Sequence, residues 1–81
     1  MPNLQWEMDQ LRLADEHIAT AERSIAELRS DIEKQQAHGG DSYLGERALH
    51  AALGALEEFR RHRELIVDTI QSIKDGRLPS T

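Results

Sequence analysis

Four histidines, His17, His38, His50 and His62, are the side chains of this chain best suited to hold a metal or move a proton near neutral pH. Two follow a glutamate at a four-residue spacing, Glu46 with His50 and Glu58 with His62, which places each pair on one helix face. Metal sites in helical bundle cores use inward carboxylates with a Glu-x-x-His spacing, and this chain has none. Zinc needs about four convergent ligands, and no cysteine is present to supply a thiolate. The histidines are therefore expected at the surface, with His50 outside and His38 in a turn, and neither metal nor cofactor is expected. Catalysis is not expected either. There is no cysteine nucleophile, no glycine-rich phosphate loop and no Ser-His-Asp arrangement, while Gly39-Gly40 reads as a helix stop. A narrow bundle should also lack room for a pocket of about 300 Å3.

Arg47, Arg60, Arg61 and Arg63 could contact phosphate. Successive helical residues point about 100° apart, so the run Arg60-Arg61-His62-Arg63 does not form one patch. Acidic residues surround it, and Glu57 to Arg61 has the spacing of a surface ion pair. The formal charge of −5 opposes general attraction to nucleic acid or anionic lipid. Residues 1 to 36 carry eight acids against four bases, and residues 42 to 76 carry six against five. One Trp, one Tyr and one Phe offer almost no stacking platform for single strands. A regulatory nucleic-acid binder using these arginines is thus the alternative reading.

The leading reading is a protein-interaction or scaffold module. Trp6, Met8 and Leu13 stand off the main apolar seam of the first half of the chain, and Leu53 and Val67 off that of the second. Large apolar and aromatic side chains in such positions are candidate anchors for a protein partner.

These residues are positioned by two apolar ladders. Leu4, Leu11, Ile18, Ile25 and Ile32 recur every seven residues, as do Ala52, Phe59, Ile66 and Ile73. A seven-residue repeat holds one seam of an α-helix against a neighbour, whereas a strand would alternate every second residue. The spacing predicts one helix over about 4–37, capped by Asn3, and a second over about 43–75, capped by Asp41 or Ser42. His38-Gly39-Gly40 breaks the chain between them, Gly76 ends the second helix, and residues 76–81 form a short tail. Gly45 and Gly54 read as weak points, each costing about 1 kcal/mol relative to Ala. The fold class is all-α, a two-helix antiparallel hairpin in a single domain.

Folding at the break places Ala14 opposite Ile66, Ala21 opposite Phe59 and Leu28 opposite Ala52. Leu11, Ile25 and Ile32 then lie beside Ile70, Leu56 and Leu49. Bulky meets small in alternate layers, as a filled core requires. Arg63 interrupts the second ladder and should pair with Asp15 or Glu22. Beyond its seam, the second helix has Leu53 and Val67 on one flank, Ala48 and Ala55 on the other, and Ala51 and Leu65 further round. That is wider than one helix contact covers. Chains this short also need support from disulfides, metals or partners, and with no cysteine a homodimeric four-helix bundle is expected. The layout resembles the plasmid RNA-binding Rop-type dimers in architecture alone. No motif matches, and likeness of fold does not carry function. No apolar run approaches the roughly 20 residues of a membrane span, and Met1-Pro2-Asn3 lacks the character of a secretion signal, so a cytoplasmic location is expected.

Overall fold

The computed structural model describes residues 3–79. Two helices account for nearly all of it, α1 over Leu4–Ala37 and α2 over Tyr43–Lys74. At 34 and 32 residues they are about 51 and 48 Å long. They pack side by side in a rod of 59 × 15 × 15 Å. Met1, Pro2 and the last two residues of the expected tail, Ser80 and Thr81, lie outside the described residues.

Each helix starts and stops where local chemistry directs. The Asn3 side chain accepts the Trp6 backbone N–H at 2.9 Å, satisfying one of the donors that the first turn leaves unpaired. At the far end Gly39 takes φ of +74°, a conformation in which a Cβ would be strained. Its N–H donates to the Gln36 carbonyl at 3.1 Å and that of Gly40 to Gln35 at 2.8 Å, the paired bonds of a Schellman stop. The same motif closes α2. Gly76 has φ of +76°, and the N–H groups of Gly76 and Arg77 return to Ile73 and Ser72.

The start of α2 divides the expected capping role between two residues. Ser42 occupies the cap position but makes no side-chain cap bond. Asp41 Oδ1 instead accepts the Tyr43 N–H at 2.9 Å. The buried Ser42 hydroxyl donates to Glu46 Oε1 at 3.1 Å, and Gln36 Nε2 donates to both groups at 3.3 Å. This small network ties the end of α1 to the first turn of α2.

Between the helices, Ala14, Ile66 and Ile70 form one buried cluster, with Leu4 and Leu11 packed against it. Ile25, Ile32, Leu56 and Ile73 are also buried. Gly45 is not simply a weak point, because a Cβ there would stand 3.0 Å from Ile32 Cγ1. The glycine is what lets α2 approach α1 beside the turn. Gly54 has nothing within 4 Å of the same position and fits the expected cost without such a reason.

Two helices enclose little. No side chain among the described residues is fully buried, and Phe59, expected in the core, is only half-buried. The chain exposes 5919 Å2, whereas a compact protein of 9.2 kDa would expose about 4,900 Å2. The excess of roughly 1,000 Å2 is a consequence of the rod shape.

Candidate interaction surface

Because the seams of two antiparallel helices face each other, the flanks of α1 and α2 combine into two distinct sides. Heptad steps place the residues that flank each seam on one or the other.

On the first side, a groove of about 320 Å3 is lined by His17, Thr20, Ala21 and Ser24 of α1 and by Ala52, Ala55 and Phe59 of α2. None of these carries a formal charge at neutral pH with histidine unprotonated. The His17 ring lies 5.5 Å from the Phe59 ring, centroid to centroid, tilted by 37°. Sequence reasoning placed the histidines at the surface and missed this contact. His17 and Phe59 fall within one turn of each other in the expected register, which is the signal that could have found it.

On the second side, a groove of about 300 Å3 includes Glu22, Arg29 and Arg60 in its lining. A third, of about 460 Å3, runs along α1 past Met8, Arg12, Asp15 and Glu16. Volume near 300 Å3, of which a narrow bundle is expected to offer little, is found among the described residues only as open surface furrow. The furrow between two helices is long enough to supply it, although all three grooves are open to solvent.

This division separates the five apolar candidates. Trp6, Leu13 and Thr20 are successive heptad positions and belong to the side of the uncharged groove, which Thr20 lines, the same row continuing to Glu27 and Lys34 near the turn. Met8, Asp15, Glu22 and Arg29 are likewise in step, as are Leu53, Arg60 and Val67, and these form the charged side. All five are at least partly exposed, Trp6 at 57%. Leu44 and Leu65, exposed at 78% and 63%, were not among the candidates, yet they are the barest leucines of the chain.

The four arginines do not converge. Arg63 Nε donates to Asp15 Oδ1 at 2.6 Å, so the seam arginine takes one of its two expected carboxylates. Arg61 bridges Glu57 and Glu58 at 3.1 and 2.6 Å. The Arg47 guanidinium sits 5.8 Å from the centre of the Tyr43 ring, within range of cation–π attraction. Arg60 turns into the charged groove beside Glu22 and Arg29. These contacts spread the cations over separate parts of the surface.

Among the described residues no three His, Cys, Asp or Glu side chains are grouped to hold a metal ion. Among the same residues, no helix is long and apolar enough to cross a membrane. No protein-family model, no curated protein and no solved structure matches the chain. The surface itself is therefore the basis for a functional reading: a small all-helical hairpin with an uncharged groove along the middle of one side and a charged groove on the other.

Proposed function

We propose that this hairpin is a non-enzymatic interaction module that works as a homodimer, two copies forming a four-helix bundle whose remaining surface engages a protein partner. The observation that carries this reading is the incomplete core. With no described side chain fully buried and roughly 1,000 Å2 more exposed than a compact chain of this mass needs, the single hairpin lacks a third layer. A standard interface removes about 800 Å2 from each partner, which is close to that excess. The bare Trp6, Leu44 and Leu65 support the same reading, since large apolar groups are costly to leave in water.

A nucleic-acid role draws less support. Arg61 and Arg63 are held by carboxylates of the same chain, and the net charge is −5. Light scattering across a concentration series, with absorbance at 260 and 280 nm, tests both readings. A mass of about 18 kDa, twice the 9.2 kDa of one chain, and no excess absorbance at 260 nm is the expected result. A mass of one chain at every concentration would refute self-association. Salt-sensitive co-purification of nucleic acid would favour the arginine reading instead.

A further inference from the structure

Both the side of the hairpin that self-associates and the direction in which the second copy lies follow from where charge is absent. This inference rests on the homodimer reading above and specifies it.

On α2, steps of three and four residues from Ala55, which lines the uncharged groove, trace one face in both directions. Toward the turn they reach Ala51, Ala48 and Leu44. Toward the open end they reach Glu58, His62, Leu65 and Thr69. Glu58 is the sole formal charge along this stripe, and Arg61 already holds it at 2.6 Å. The corresponding stripe of α1 differs between its halves. Trp6, Gln10, Leu13, His17, Thr20 and Ser24 are uncharged, but Glu27, Asp31 and Lys34 follow near the turn.

A second copy can cover this side face to face in two ways. If both turns lie at the same end, each α2 rests on the other copy's α1, and Glu27, Asp31 and Lys34 are pressed onto Leu44, Ala48 and Ala51. Burying charges against apolar groups without partners is strongly unfavourable. If the turns lie at opposite ends, α2 rests antiparallel on α2 and α1 on α1. The apolar stripe then covers itself. With the two-fold axis at Glu58, Ala51 of one copy meets Leu65 of the other, so the bare leucine lies over a small residue. The same axis brings Lys34 to the level of Gln10, Glu27 to that of His17 and Asp31 to that of Leu13 in the second copy, and sets the two copies of Glu58 side by side, each held by its own Arg61 at 2.6 Å; the three charges of α1 thus face one apolar residue instead of three.

We infer that the partner on the side of the uncharged groove is a second copy of this chain, packed antiparallel with its turn at the opposite end and α2 against α2. Area agrees with this occupant. A face 59 Å long and 15 Å wide presents roughly 900 Å2, about what one partner contributes to a standard interface. On the other side, Asp15, Glu22, Arg29 and Arg60 would have to be desolvated by such a contact.

The absence of cysteine allows single-site labelling of the full chain. A spin label on His38→Cys, at the exposed turn, reads the direction directly. Opposed turns put the two labels about 48 Å apart, the rise of 32 helical residues, whereas adjacent turns put them within about 25 Å. Ala55→Glu, exposed in the single hairpin, should give a one-chain mass in light scattering with helicity retained. Leu53→Glu, on the charged side, should leave the dimer intact. A dimer with a short label distance, or one lost through Leu53→Glu and kept with Ala55→Glu, would overturn this inference while leaving self-association standing. A wild-type monomer would overturn both.

Discussion

The two helical glycines of α2 allow a paired experiment in which the same substitution should act in opposite directions. In a helix interior, alanine is favoured over glycine by about 1 kcal/mol, because glycine loses more backbone freedom on folding. At Gly54 nothing lies within 4 Å of an added Cβ, so Gly54→Ala should gain close to that full amount. At Gly45 the new methyl meets Ile32 Cγ1 at 3.0 Å, with Gln35 Oε1 at 3.6 Å and Ile32 Cδ1 at 3.7 Å. Ile32 is buried and branched at Cβ, so its χ1 is stiff and the close atom is not the far end of a flexible chain. Overpacking of this kind costs about 1–3 kcal/mol. Set against the gain of about 1 kcal/mol, Gly45→Ala should be neutral to destabilising by about 2 kcal/mol. The two variants should therefore separate by about 1–3 kcal/mol. Urea unfolding followed by circular dichroism, at one fixed chain concentration so that association contributes equally, measures the difference. For a chain this size each kcal/mol moves the thermal midpoint by about 4–8 °C. If Gly45→Ala stabilised as much as Gly54→Ala, the close approach of α2 to Ile32 would be refuted.

Other positions test other parts of the structure. Ile66→Ala removes a buried member of the Ala14 cluster and should cost about 2–5 kcal/mol in urea unfolding. Phe59→Ala should cost about 2–3 kcal/mol, below the range for a fully buried phenylalanine, because one side of the ring faces the groove; a cost under about 1 kcal/mol would remove it from the packing altogether. Asp15→Asn breaks a short but exposed pair with Arg63 and should cost less than about 1 kcal/mol, an effect that shrinks in 1 M salt. Asn3→Ala removes the cap of α1 and should cost about 1 kcal/mol, read as a lower thermal midpoint.

The sequence alone was sufficient for the hairpin, because each of its signals is local or periodic. Asn3 caps, Gly39 and Gly76 stop, and the seven-residue ladders give each residue an angle about its helix axis. Equal arms then bring Ala14 opposite Ile66 and Ala21 near Phe59. Even the sorting of Trp6 and Leu13 onto one side and Met8, Leu53 and Val67 onto the other was implicit, since antiparallel pairing of two seams fixes which flanks combine. What only the tertiary structure decided depends on distance between helices and on axial offset within one turn, neither of which periodicity specifies. Arg63 could reach a carboxylate a turn to either side, and the packed offset gives it Asp15. His17 lies over Phe59 because the helices sit close enough there for the rings to meet. Gly45 reads in sequence as a cost, and only the approach of Ile32 offsets that cost. The half-burial of Phe59 has the same origin: one seam between two helices shields a large ring from one direction, and its other face needs a layer that a single hairpin does not possess.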